Sequence, residues 1–184
     1  MKKALVILGA TGTGKSTIGK QLAEIIDCKY ISTGDIARKL ADEGGDYLWR
    51  LIGDLAPEKE LREKFLEEID GESRVVIDGM PRTPEQVGFL MEHFDKIHVI
   101  HLVADDNILM DRLVNRNRED DTKVIIRRKL RNYHKVIDDI LDDIMLSSSY
   151  GGVFDFVDTI DVGKRNINGV IDTIIARGVI DLMQ

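Results

Sequence analysis

The chain has 184 residues, 43% of them hydrophobic and 32% charged, with a formal net charge of −7. That length suits one domain with a substantial core, and the apolar runs are too short for a membrane span. A single cysteine, Cys28, excludes an internal disulfide and a multi-cysteine metal site and fits a reducing cytoplasm, while the acidic balance argues against a general nucleic-acid or anionic-membrane binder.

Met1-Lys2-Lys3 and the five aliphatic residues after it have the charge pattern of a signal peptide, but the run enters a glycine-rich loop where a cleavage site would be expected. Residues 4–8 are therefore expected to form the first strand. The loop is Gly9-Ala10-Thr11-Gly12-Thr13-Gly14-Lys15-Ser16, and residues 17–26 follow with Ile18, Leu22, Ile25 and Ile26 at helical spacing. Between a buried strand and a helix this pattern has a mechanism. Backbone N–H groups and the helix N-terminus face an anion, Lys15 reaches the outer phosphates, and the Ser16 hydroxyl ligates Mg²⁺. Gly9, Gly12, Thr13, Gly14, Lys15, Ser16 and Thr17 are thus the expected phosphate site.

Residues 29–31 are a short strand candidate, and Ser32 to Asp35 form a turn with capping residues ahead of a helix over 36–43, which Gly44-Gly45 breaks. Two further short helices are expected over 46–52 and 57–69, the second with Pro57 in its first turn and Glu58 and Glu60 beside its positive end. Residues 74–77 are the third strand, and it ends in the loop Asp78-Gly79-Met80-Pro81-Arg82. In open parallel sheets ligands bind at that carboxyl edge. A helix over 83–94, a strand over 97–103 and a helix over 105–115 follow. His98 and His101 sit in the strand's alternating pattern and are taken as structural. Residues 122–145 form a long amphipathic helix, then 153–157 a fifth strand and 166–176 a last helix. The alternation predicts an α/β fold, a five-stranded parallel sheet between two helical layers. Nine of the 26 Lys and Arg fall between Arg112 and Lys135, which implies a local anion site inside an acidic protein.

The glycine loop, the string Ile31-Ser32-Thr33-Gly34-Asp35 with Arg38, the string from Asp78 to Thr83 with Gln86, and Arg118-Glu119-Asp120-Asp121 before a basic helix together resemble the nucleoside monophosphate kinases, adenylate kinase most closely. The resemblance runs through nearly the whole chain and implies a P-loop kinase fold in one domain over 1–184. Within it, 33–70 would be a helical monophosphate-binding excursion and 116–121 a vestigial lid.

It further implies that Thr33, Gly34, Arg38, Gly79, Arg82 and Gln86 hold AMP, with Arg38 and Arg82 on its phosphate and Gln86 on the adenine edge. Thr33 equally suits a helix cap, and Asp35 suits a cap better than a ligand contact. Asp78 would reach Mg²⁺ through water near Ser16, and Gly163 would meet the ATP base. Lys15, Arg82, Arg116, Arg118 and Lys129 would stabilise the moving phosphoryl group, with Asp120 and Asp121 anchoring the arginines.

Two departures stand out. Only Asn117 separates Arg116 from Arg118, so the lid is nearly gone, and Lys129 stands where the family carries an arginine, with a point charge in place of a fork. On a helical wheel Lys129 flanks the apolar stripe and Arg128 points away. The implied activity is Mg²⁺-dependent phosphoryl transfer from ATP to AMP by a cytoplasmic monomer without membrane or nucleic-acid partners. Two alternatives stay open: another nucleotide or small metabolite as acceptor, and a nucleotide-binding regulator or RNA-associated protein with little transfer activity.

Overall fold

The structure is a computed structural model that describes residues 1–44, 56–116, 122–149 and 152–184. The strands β1 (Lys3–Gly9), β2 (Lys29–Ser32), β3 (Arg74–Asp78), β4 (Lys96–Val103) and β5 (Phe154–Asp161) form one sheet in the order β2-β3-β1-β4-β5. Every pairing is parallel, as the alternating pattern predicts. The chain leaves β1 towards one edge of the sheet and β4 towards the other, so a crevice opens beyond the carboxyl end of β1.

Eight helices are described: α1 (Lys15–Ile26), α2 (Thr33–Gly44), α3 (Glu58–Ile69), α4 (Pro84–His93), α5 (Asp106–Arg116), α6 (Lys123–Ser149), α7 (Ile167–Ala176) and α8 (Val179–Met183). The central strands are apolar on both faces because helices cover both. Ala4, Val6, Val75, Ile77, Ile97 and Val99 face α2, α3, α4 and α6, while Leu5, Ile7, Val76, Ile100 and Leu102 face α1, α7 and α8. The period of two in strand side chains sends alternate residues to opposite cores. A third, smaller cluster joins α5 to the start of α6 through Leu109, Leu113, Ile126 and Leu130.

At 27 residues, α6 is about 40 Å long. Its first half packs on α5 and its second half, through Ile137, Ile140 and Ile144, packs on the sheet core, so it runs along one wall of the crevice. Several boundaries differ from the sequence reading. Thr33 to Asp35 of the expected turn belong to α2, because the Ser32 hydroxyl accepts the Asp35 N–H at 3.2 Å and starts the helix earlier. β5 extends to Asp161 by pairing with β4 as far as Val103, and α8, turned by Gly178 at φ 75°, buries Val179 and Met183. The helix expected over 46–52 lies outside the described residues.

Phe65 of α3 is fully buried and meets Phe89 of α4 edge to face, with ring centroids 5.9 Å apart. Phe65→Ala leaves a cavity between these helices and should cost about 3–5 kcal/mol of unfolding free energy, measured by denaturant titration.

Candidate active site

The crevice is a cleft of about 640 Å³ walled by the glycine loop, the loop after β3, α2, α5 and the middle of α6. At its floor Gly14 adopts φ 92°, a left-handed conformation that turns the chain into α1 and leaves the first N–H groups of that helix facing the cleft. Thr13 is buried beneath the loop and its hydroxyl donates to the Ala10 carbonyl at 2.9 Å. The Lys15 ammonium donates to the same carbonyl at 2.8 Å, folded over the loop it belongs to. Burial pulls its pKa from 10.5 down to about 8; the Asp78 carboxylate works against that shift, while Arg82 and Arg116 add to it. Residues from α1, the β3 loop and α5 thus bring three cations into electrostatic range of one another.

Asp78, 4% exposed at the end of β3, accepts two hydrogen bonds on one oxygen. The Ser16 hydroxyl donates to Oδ2 at 2.6 Å and the Tyr30 hydroxyl at 2.8 Å. Burial, and next the Asp78 charge, push the Tyr30 phenol above its ordinary range. Ser16 and Asp78 offer hard oxygen donors, the chemistry Mg²⁺ prefers. Among the described residues no group of three or more His, Cys, Asp or Glu could hold a metal by itself, so an ion here would take its other ligands from water and phosphate, as Mg²⁺ commonly does.

The loop after β3 turns at Gly79, where φ is 92° and a Cβ would come within 2.5 Å of Thr33 Oγ1. That close approach lets the Thr33 hydroxyl donate to the Asp78 carbonyl at 3.3 Å, so buried Thr33 ties α2 to the β3 loop and does not line the cleft. Gly34, Arg38, Gly79 and Arg82 do line it. Arg38 pairs with Asp35 one turn earlier on α2, and Arg82 Nε donates to the Gly79 carbonyl at 2.8 Å. Surrounding protein, offset by Asp78 and reinforced by Arg38, lowers the Arg82 pKa, yet a guanidinium starts far enough above neutrality to stay charged.

Gln86 is placed differently from the expectation. It is 2% exposed and lies behind the cleft, where its Oε1 accepts the Arg82 N–H at 2.7 Å and its Nε2 donates to Glu58 Oε2 at 2.8 Å. A backbone donor on one side and a carboxylate acceptor on the other permit only this amide orientation. Gly163 also lies off the cleft, but its carbonyl and that of Val162 accept hydrogen bonds from Arg112, which lines it.

On α6, Lys129 lines the cleft and Arg128 is exposed outside it. Asn132, Tyr133 and Val136 join Lys129 on the same wall, at the i+3, i+4 and i+7 spacing that marks one helix face. The sequence reading missed them because Tyr133 counts there as part of the apolar stripe, and Asn132 and Val136 have no distinctive pattern. Tyr133 also bonds His101 of β4, its hydroxyl 2.7 Å from the imidazole Nε2. Arg116 ends α5 on the cleft wall. Arg118, Asp120 and Asp121 lie outside the described residues.

Comparison with known proteins places this arrangement. A family model described as an AAA domain matches residues 8–127. An adenylate kinase 1 from Nostoc sp. is 36% identical over 151 residues, covering 75% of this chain and 82% of that protein. The chain belongs to the adenylate kinase family. An adenylate kinase from Pseudarthrobacter chlorophenolicus is 36% identical over 71% of this chain and 77% of its own, and one from Mycolicibacterium smegmatis is 30% identical over 81% and 92%. As an adenylate kinase family member the protein is an ATP-dependent phosphotransferase with a P-loop kinase fold. No helix among the described residues is long and apolar enough to cross a membrane.

The Lys15 pKa of about 8 carries two signs. Between about 8 and 10.5 the unfolded chain holds a proton that the folded chain has released, so stability rises with pH across that window, and the cost of burying the charge applies in full below it. Binding polyphosphate favours the charged ammonium. Just above pH 8, ATP binding should therefore take up protons, seen as a buffer-dependent enthalpy in titration calorimetry. Lys15→Met should abolish that uptake and weaken binding.

Proposed function

We propose that this enzyme transfers the terminal phosphoryl group of ATP to AMP, yielding two ADP, with both nucleotides held in the one cleft. The observation that carries this reading is the convergence of Lys15, Arg82 and Arg116 from three separate elements, near enough that both arginines add to the lowering that burial imposes on the Lys15 pKa. A site built from mutually repelling cations is suited to a ligand whose negative charge exceeds that of one phosphate ester. Several relatives are named adenylate kinase, which supports AMP as acceptor.

ATP would lie with its phosphates on the glycine loop, against Gly9, Gly12, Gly14, Lys15, Ser16 and Thr17, and its base towards Arg112 and the carbonyls of Val162 and Gly163. AMP would lie on the flank formed by α2 and the loop after β3, its phosphate between Arg38 and Arg82. An oxygen of that phosphate attacks the γ-phosphorus while the bond to the β–γ bridging oxygen breaks, and ADP leaves with the released electron pair. Lys15, Arg82, Arg116 and Lys129 hold the charge that spreads over the moving group, which is where preorganised cations contribute most. Mg²⁺ held near Ser16 and Asp78 would neutralise charge on the β and γ oxygens. Both half-sites come from one chain, which fits a monomer, and the single cysteine suits the cytoplasm.

A second reading follows from Gln86, whose amide bonds the Arg82 backbone and Glu58 and does not face the cleft. With that base reader withdrawn, another nucleoside monophosphate becomes a competing acceptor. A coupled assay of ADP formation with ATP and a panel of AMP, CMP, UMP and GMP separates the two. AMP as the best substrate by kcat/KM supports the first reading, and rapid turnover of another member with none of AMP overturns it. Under the AMP reading, Arg82→Ala should lower kcat by a factor of about 10²–10³, the loss expected for one preorganised charge partner.

A further inference from the structure

Asp78 is held by two hydroxyls, and only one of them belongs to a residue with a place in the phosphate site. Ser16 donates to Oδ2 at 2.6 Å, but its own oxygen is the expected metal ligand. Tyr30, on the edge strand β2, donates to the same oxygen at 2.8 Å from outside the cleft lining. Among the described residues Oδ1 receives no hydrogen bond, so the two donors fix the carboxylate with one oxygen left to face the metal's water shell.

The ring has room only because of a glycine in the middle of α1. A Cβ at Gly19 would lie 2.7 Å from Tyr30 Cε2, and a glycine inside a helix costs about 1 kcal/mol relative to alanine. Register adds to the placement: Tyr30 pairs with Val76 and Ser32 with Asp78, so the phenol lies on the strand next to β3 and two residues short of the carboxylate. The Lys20 ammonium lies 5.8 Å from the ring centroid and packs over its face.

We propose that Tyr30 is a positioning residue for Mg²⁺, holding the Asp78 carboxylate through a second hydrogen bond beside the one from Ser16, whose oxygen would ligate the ion. This rests on the assignment of Mg²⁺ to Ser16 and Asp78. Outer partners of this kind are worth about 10–100-fold in metal affinity. Tyr30 carries that contribution here, and Gly19 supplies the space for it.

The test is calorimetric binding of the β,γ-imido analogue of ATP with Mg²⁺ and with EDTA, which gives the factor by which the metal strengthens binding. Tyr30→Phe should cut that factor about ten-fold while leaving the affinity for the metal-free analogue in place. Gly19→Ala, which displaces the ring but keeps the hydroxyl, should cut it in the same way and serves if Tyr30→Phe folds poorly. A purely structural Tyr30 would move both affinities together or neither. An unchanged Mg²⁺ factor in Tyr30→Phe overturns the proposal. A wild-type protein with no Mg²⁺ factor removes the metal assignment itself, and the proposal with it.

Discussion

Like charges held together in one cleft are the constraint around which this structure is arranged. Lys15, Arg38, Arg82, Arg116 and Lys129 line one cleft, and Arg82 and Arg116 add to the lowering of the Lys15 pKa that burial chiefly causes. Coulomb repulsion in a partly desolvated cleft is several times stronger than in water, so the cations have to be fixed by something other than each other. Backbone carbonyls do much of this: Ala10 takes Lys15, Gly79 takes Arg82, and Val162 and Gly163 take Arg112. A neutral acceptor holds a cation in place without cancelling its charge, which leaves the charge available to phosphate. Arg38 pairs with Asp35 on its own helix.

The sheet order makes the grouping possible. With β3 and β4 on either side of β1, the loops after β1 and β3 open on the same edge, and α5 and α6 close the wall beyond β4. Both hydrophobic layers are used for this. One carries α1 and with it Lys15 and Ser16, and the other carries α2, α4 and α6 and with them Arg38 and Lys129. The protein is acidic as a whole, so the cationic cleft is a local potential against a repulsive background, which concentrates anionic substrates at the one place that can use them.

Behind the cleft runs a layer of polar groups that touch no substrate position but hold those that would. Gln86 links the Arg82 backbone to Glu58, Glu58 binds Arg62, and the Arg62 guanidinium lies 4.9 Å from the Phe89 ring centroid, so α3, α4 and the β3 loop are joined by one chain of contacts. Thr33 joins α2 to the same loop, and Tyr30 joins β2 to Asp78. Any shift of α2 or α3 towards a bound acceptor would be felt at Arg82 and Asp78 through these bonds.

Much of the fold was legible from the sequence. The apolar runs at 4–8, 74–77 and 97–103, the glycine loop between a strand and a helix, and the stripe along α6 each have a local period, and local period follows from backbone geometry alone. The glycine loop's place between β1 and α1 was legible too, since a loop that cradles an anion needs glycines and a lysine at fixed spacing. Tertiary structure decided what those residues do in each other's company. Gln86 turns its amide to Glu58, 28 positions away, Tyr30 meets Asp78 across 48, and Lys15 loses basicity chiefly to burial, with arginines on other elements adding to it. A hydrogen bond between side chains so far apart leaves no periodic trace, and a pKa depends on burial and on charges brought near only when the chain has closed.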